Sequence, residues 1–398
     1  MERYTWYTIR NGRILQGTGS RFIKWNRESQ QNQIIVKEKG MEQLRVGIIG
    51  CGGIANGKHL PAMKALGCFE IAAFCDLKEE RAKKAKKEYG TEDAAVYTDY
   101  KELLKDSSLK AVYVLTPNRS HSFISIDAMH AGKHVMCEKP MAKTAKDAEE
   151  MLLAAKETGK ILTIGYQNRY RADSVYLKRV CENGDLGDVY YAKAHAIRRR
   201  AVPTWGVFLN EEEQGGGPLI DIGTHALDLT LWMMDNYEPE SVMGSVYKKL
   251  GQQTETGNAW GDWDQEKFTV EDSAFGFIKM KNGATIHLEA SWALNTLEVD
   301  EAKTSLCGTK AGADMKDGLR INSVKYNKQI VEKPALDAAG VAFYDGEADD
   351  EKAAEQRTFY EAVTQGKDLV VKPEQALVVT KILEAIYESG AKGEAVYF

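Results

Sequence analysis

The sequence has no C-x-x-C pair among its six cysteines, no internal repeat, no excess of positive charge, and no apolar run near the ~18 residues a membrane-spanning helix requires. Each absence removes a class of function. Without paired cysteines there is no zinc ribbon or dithiol redox motif, and no metal site is expected. Cys51, Cys68, Cys75, Cys137, Cys181 and Cys307 read mostly as small buried hydrophobes, whose reduced state fits a cytoplasmic setting. Without a long apolar run the chain is not expected to be integral to a membrane. With 53 Lys and Arg against 58 Asp and Glu, a net charge of −5, it is a poor general ligand for nucleic-acid phosphates. What remains is an ordinary globular composition, 43% hydrophobic and 28% charged over 398 residues. At roughly 100 to 200 residues per domain, that length implies two domains.

The charge is unevenly placed. Residues 1–40 carry eight basic and three acidic side chains, which leaves the remainder at −10. Their longest aliphatic run, Ile34-Ile35-Val36, is too short for the ~7 to 15 apolar residues at the core of a secretory signal. An Arg-rich, acid-poor leader is also compatible with organelle targeting. The preferred reading is an extension, residues 1–43, ahead of a domain that begins at Leu44.

From Leu44 the chain alternates. LRVGII (44–49), 71–75, AVYVL (111–115), HVMC (134–137) and ILTIG (161–165) are short apolar runs of the kind buried on both faces of a parallel sheet. Helical stretches are predicted between them, over GKHLPAMKALG (57–67), 79–89, 120–131 and 144–158. The lysine-rich 83–87 is read as a solvated helix face. This is a doubly wound α/β pattern over 44–165. Beyond it, 189–195, 241–247, 274–280 and 285–292 alternate as strands, with Asn282-Gly283 as a two-residue hairpin turn between the last two. With helices near 173–183, 221–234, 351–365 and 374–389, residues 166–398 read as an α+β domain around an open, mostly antiparallel sheet.

GCGGIA, Gly50 to Ala55, follows the first strand and matches G-x-G-x-x-A. Gly50 permits the tight turn, Gly52 lets backbone approach a pyrophosphate, and Ala55 keeps the helix close to the strand. Gly53 and Ile54 complete the loop whose amides face the anion. The second strand ends in Asp76, 24 residues beyond Gly52. A carboxylate there accepts hydrogen bonds from the adenosine ribose and repels a 2′-phosphate, so NAD is favoured over NADP. A purely structural turn and a helix cap are the plainer readings of the same residues.

Three further segments carry chemistry. Thr116-Pro117-Asn118 with His121, and Glu138-Lys139-Pro140, lie at carboxyl ends of predicted parallel strands, where ligands of open α/β sheets bind. Gly215-Gly216-Gly217 leads into Asp221 and His225. Oxidising a secondary alcohol requires a base for the hydroxyl proton near a cation that stabilises the developing alkoxide. Lys139 suits the cation and His225 the base. Asp221, four residues before His225, shares its helix face and either orients the imidazole or contacts substrate. Singly, each has a plain alternative: an exposed lysine in a turn, a helix N-cap, a satisfied core histidine.

EKP followed by GGGxxxDxGxH resembles the glucose-fructose oxidoreductase, inositol dehydrogenase and MocA (Gfo/Idh/MocA) family. The resemblance extends from Leu44 to the carboxyl terminus through GYQNRY (165–170), VEDSAFGFIKMKNGA (270–284) and GEAVYF, and excludes the first forty residues. It implies a Rossmann domain, NAD, the catalytic set Lys139, Asp221 and His225, and a homo-oligomer, a dimer or tetramer. Cofactor contacts are expected from Thr116, Asn118, His121, Glu138, Lys139 and Gln167, the last beside Tyr166 near the nicotinamide end. Arg169 and Tyr170 are expected on the pocket wall.

Ile197 to Gly206 (IRRRAVPTWG) places Trp205 beside Arg199. An indole stacks on sugar C–H faces while guanidinium donors take hydroxyls. A basic loop with a core tryptophan is the plainer reading. Trp260 and Trp263 stand in a second, Gly-rich loop and also suit a sugar or aryl-sugar pocket. Within the family, RRRAVPTWGVF and QGGGPLIDIGTHALD are similar to members that oxidise C3 of a glucosyl unit, including those acting on plant C-glucosides such as puerarin. The expected activity is NAD-dependent oxidation of a sugar or glycoside hydroxyl. The alternatives are an inositol or other cyclic polyol dehydrogenase, NAD-assisted glycoside cleavage by oxidation and elimination, and a non-catalytic nucleotide-sensing regulator.

Overall fold

The computed structural model describes the strand backbones 5–10 and 13–18, and residues 42–336 and 351–398. β1 (Thr5–Arg10) and β2 (Arg13–Thr18) pair as an antiparallel hairpin. The rest of the leading extension, up to residue 41, lies outside the described residues.

β3 (Leu44–Ile49), β4 (Phe69–Cys75), β5 (Ala95–Tyr97), β6 (Ala111–Val114), β7 (His134–Cys137) and β8 (Leu162–Ile164) form one parallel sheet in the order β5-β4-β3-β6-β7-β8. The crossover helices are α1 (Leu60–Leu66), α2 (Glu79–Tyr89), α3 (Tyr100–Leu104), α4 (His121–His130) and α5 (Ala145–Thr158). β3 is buried on both faces. Leu44, Val46 and Ile48 share a core with Phe74 and Tyr113, whereas Ile49 packs with Val112 and Val114. That double burial is why LRVGII shows no alternation. In α2 only Ala82 and Ala85 are buried, and Lys83, Lys84 and Lys87 face solvent.

The chain continues through α6 (Ala172–Glu182), β9 (Val189–Ile197), α7 (Glu211–Gln214), α8 (Thr224–Met234), β10 (Pro239–Tyr247), β11 (Ser273–Met280), β12 (Thr285–Ser291), β13 (Asp300–Gly308), β14 (Gly312–Asp314), β15 (Arg320–Lys325), β16 (Lys328–Glu332), α9 (Glu351–Gln365), α10 (Pro373–Lys392) and β17 (Val396–Tyr397). Its nine-stranded sheet has the order β16-β15-β14-β13-β9-β12-β11-β10-β17, antiparallel throughout except for the pair β9 and β12. The turn at Asn282-Gly283 joins β11 to β12, with Gly283 at φ 88°.

Two elements depart from plain expectation. The first crossover and the helix carrying Asp221 both begin as π-helical turns, Ala55–His59 and Leu219–Gly223, before α1 and α8. The last strand of the parallel sheet ends at Ile164 and the second sheet begins at Val189, but α9 returns to the first. Its Phe359 ring lies 5.5 Å from Tyr113 and its Tyr360 ring 5.8 Å from Phe69, so this late helix closes the core over β3 and β6. Among the described residues no helix is long and apolar enough to cross a membrane.

Candidate active site

The sheet order reverses between β3 and β6, and the glycine loop stands at that switch point. Gly50 has φ 95°, and a Cβ on it would meet the Leu115 carbonyl oxygen at 2.5 Å, so only glycine brings the two strand ends this close. A Cβ on Gly52 or Gly53 would meet nothing within 4 Å, which leaves the loop backbone open to a ligand. Asn56 holds the turn by donating to the Cys51 and Gly52 carbonyls. The half-exposed Asp76 carboxylate is oriented by the amides of Cys51 and Lys78, both at 2.9 Å, and keeps lone pairs for a ribose diol. Ala55 is fully buried and Ile54 exposed. The open loop, the placed carboxylate and the absence of an arginine directly after it fit NAD.

Directly behind this loop is a buried charge network. Glu138 Oε1 accepts from Lys58 Nζ and His59 Nε2, both at 2.8 Å, while Lys58 also bridges to Glu355 of α9 at 2.9 Å. Gln356 Nε2 lies 3.0 Å from His59 Nδ1 and 3.1 Å from Glu355 Oε2. The reverse amide orientation would set an oxygen against that carboxylate, so His59 accepts at Nδ1 and donates from Nε2. Burial works against the Lys58 ammonium, but Glu138 and Glu355 outweigh it and raise its pKa. Burial likewise opposes the Glu138 carboxylate, and Lys58 and His59 more than reverse it, holding it well below the usual range. Glu138 Oε2 accepts from the Lys139 amide at 3.1 Å. Glu138, expected to touch cofactor, is thus buried and fixes the turn that carries Lys139, whose peptide to Pro140 is cis.

Lys139 spans the two sheets' domains. Its Nζ donates to the Asp221 carbonyl at 2.9 Å and to Asp221 Oδ1 at 2.8 Å, which leaves one N–H disengaged. Asp221 Oδ2 accepts from Trp292 Nε1 at 3.1 Å. The carboxylate therefore orients Lys139 rather than His225. Burial pushes the Asp221 carboxyl up, but Lys139 and Arg198 outweigh it and hold its pKa below the ordinary value. His225 is buried, stacked edge-on 6.2 Å from Tyr166, with no hydrogen-bond partner at Nδ1. Burial, and then the Lys139 charge, lower its pKa to about 3, so it is neutral near pH 7. Glu271 positions this helix start: its carboxylate accepts from the Gly217 and Leu219 amides at 2.8 and 3.1 Å and from the Tyr387 hydroxyl at 2.8 Å.

Other expected site residues divide. Among the described residues, half-buried Gln167 makes no side-chain hydrogen bond, and exposed Arg199 makes neither a side-chain hydrogen bond nor an ion pair, so both are available to a ligand. Thr116 accepts from Ser120, and Asn118 reaches across to the Gln214 carbonyl at 3.0 Å. His121 is fully buried, its ring nitrogens 2.8 Å from the carbonyls of Pro140 and Thr116, so it ties two loops together and presents no nitrogen to a ligand. Arg169 is not on a pocket wall. It is fully buried, bidentate to Asp228 at 2.6 and 2.9 Å, with its remaining nitrogen on the Val370 carbonyl and Gln375. The Tyr170 hydroxyl faces α9 and accepts from Thr358. Trp205 and Trp260 are surface indoles, whereas Trp263 is buried and donates to the Gly251 carbonyl. Sequence reading missed Trp292, Glu271, Lys58 and His59. Two signals marked any of them: the adjacency of Lys58-His59 to the glycine loop, and the place of Glu271 in the family segment 270–284.

Residues 44–166 match the family described as oxidoreductase family, NAD-binding Rossmann fold (GFO_IDH_MocA), and residues 178–398 match its C-terminal alpha/beta domain. The chain belongs to the Gfo/Idh/MocA oxidoreductases. Among the members of this family it resembles, D-glucoside 3-dehydrogenase of Escherichia coli (strain K12) is 36% identical over 354 residues, 89% of this chain and 97% of that one. Myo-inositol 2-dehydrogenase of Thermotoga maritima is 29% identical over 61% of this chain and 66% of its own length. Levoglucosan dehydrogenase in complex with NADH and levoglucosan superposes with a TM-score of 0.76 at 21% identity, covering 89% of this chain and 99% of that one. Like its family, the chain is an oxidoreductase with an NAD-binding Rossmann domain.

Proposed function

We propose that this protein oxidises C3 of a glucosyl unit in a glycoside, with NAD as hydride acceptor. The observation that carries the reading is the 36% identity to D-glucoside 3-dehydrogenase across nearly all of that enzyme. The inositol dehydrogenases align over less of either chain.

The side chains suit the chemistry. When bound, the oxidised nicotinamide supplies the hydride acceptor. A secondary alcohol that gives up its C–H hydride must also lose its O–H proton to become a ketone. Lys139, steered by the Asp221 carboxylate, directs its disengaged N–H at the reacting oxygen and stabilises the developing negative charge. His225 is neutral and unpartnered at Nδ1, and takes the proton. Glu138, Trp292 and Glu271 hold these groups without touching substrate.

The assembly reading is a homo-oligomer joined through the open face of the nine-stranded sheet. In its support, Met243 and Phe277 face each other across β10 and β11 and are 47% and 53% exposed, an apolar pair on an otherwise solvent-facing surface.

NADH formation and mass-spectrometric detection of the 3-oxo product, measured across O- and C-glucosides, free glucose and myo-inositol, test the activity. Turnover of glucosides with a 3-oxo product is expected. Strict preference for inositol overturns the reading, and release of aglycone without accumulated oxidised sugar replaces it with oxidation and elimination.

A further inference from the structure

An aromatic chain runs outward from Asp221. Trp292, which donates to Asp221, is buried. Its ring lies 6.3 Å from Phe208, which lies 6.1 Å from Trp205. Trp205 meets Trp260 at 5.0 Å with the rings at 70°, and these two indoles are 52% and 43% exposed. They form an open corner two ring contacts beyond Trp292, which holds the carboxylate that orients Lys139. The corner is built in advance. The Thr204 hydroxyl donates to the Trp260 carbonyl at 2.8 Å, and the Ala259 amide donates to Arg200. The Asn258 side chain clamps both the amide and the carbonyl of Val202. Two large exposed indoles on hydrogen-bonded loops, with Arg198 lying 5.2 Å from the Trp260 ring, are a surface made to be covered.

We propose that the corner of Trp205 and Trp260 is a separate subsite for the group attached to C1 of the sugar, and that this group is aromatic. The inference rests on the glycoside reading above. A planar ring stacked on one indole receives the edge of the other, the arrangement the ring quadrupoles favour. A second sugar is disfavoured because the polar side chains packed against the two indoles are already engaged. Arg198 is bidentate to Glu301, with both contacts at 2.6 Å, and donates to the Ala201 carbonyl. Both Asn258 amide protons go to carbonyls.

The test compares kcat/KM for phenyl β-glucoside, methyl β-glucoside and cellobiose in the full chain and in Trp205→Ala, Trp260→Ala and Trp205→Phe. The wild type is expected to prefer the phenyl glucoside. Each alanine variant lowers the phenyl-to-methyl ratio roughly threefold to tenfold, the scale of one aromatic contact, mainly through KM. Trp205→Phe retains most of the ratio, which separates ring stacking from a general disturbance of the loop. An unchanged ratio in both alanine variants, or a wild-type preference for cellobiose over the phenyl glucoside, overturns the subsite while leaving the glycoside reading intact. A wild type that oxidises none of the three glucosides overturns the glycoside reading itself.

Discussion

At His225 burial and the Lys139 ammonium both act against the imidazolium, whereas in the unfolded chain the same ring titrates near the ordinary imidazole value of about 6.5. Above that pH both states hold the ring neutral. Between pH 6.5 and about 3 the unfolded chain binds a proton the folded one refuses, so acid removes stability. His225→Asn is therefore expected to lose less stability than the wild type between about pH 7 and pH 5, by roughly 2 kcal/mol, read from urea midpoints at each pH. Equal losses would mean that the imidazole is not held neutral. Lys139 gives the kinetic counterpart. Lys139→Ala should cut kcat by ~10²-fold or more, the scale of a positioned acid–base group, and a near-normal rate would refute its assignment. Both residues were visible in the sequence because the chemistry needs those side-chain types at strand and helix ends. The partner of Asp221 was not. An i−4 spacing pointed to His225, but the π-helical turn and the approach of the Lys139 turn give its oxygens to Lys139 and Trp292.

At the scale of elements, the two π-helical turns stand where ligand chemistry begins, one behind the glycine loop and one beneath Asp221. The second leaves no room for change. A Cβ on Gly217 would sit 2.3 Å from the Glu271 carbonyl oxygen, so Gly217→Ala must displace the turn. Destabilisation of about 1 to 3 kcal/mol is expected, with a larger proportional loss of kcat than of substrate affinity. A fully active variant would show that the turn has slack. Lys58→Met tests the first turn. It leaves Glu138 and Glu355 buried without their cation, and a loss of about 3 to 5 kcal/mol is expected in urea unfolding. An unchanged midpoint would mean that another group neutralises the pair. The helices over 79–89, 120–131 and 144–158 and the strands that alternate with them were legible because a buried parallel sheet demands continuous apolar runs. β5, β13, β15 and β16 were not. β5 is short, β15 and β16 lie at the edge of their sheet, and β13, though interior, buries only Thr304 and Leu306, so its periodic signal fades.

For the whole molecule, the open face of the nine-stranded sheet is the largest question of assembly. Phe277→Glu sets a charge where copies are proposed to meet and should shift the mass by light scattering towards the monomer, with secondary structure retained. An unchanged mass would place the interface elsewhere. Composition, the run of LRVGII into GCGGIA, the acid at Asp76 and the spacing of EKP from DxGxH determined by themselves the Rossmann sheet followed by an antiparallel one, the cofactor and the three candidate reacting residues, because local turns and charge signs are fixed by residue type. Only the tertiary structure decided which charges meet. Arg169 turned inward to Asp228 because it is fully buried, where an unpaired guanidinium is untenable. Glu138 became a support for Lys139 because α9, more than two hundred residues later, folds back to place Glu355 beside Lys58. Partners so far apart along the chain leave no periodic trace, and only packing reveals them.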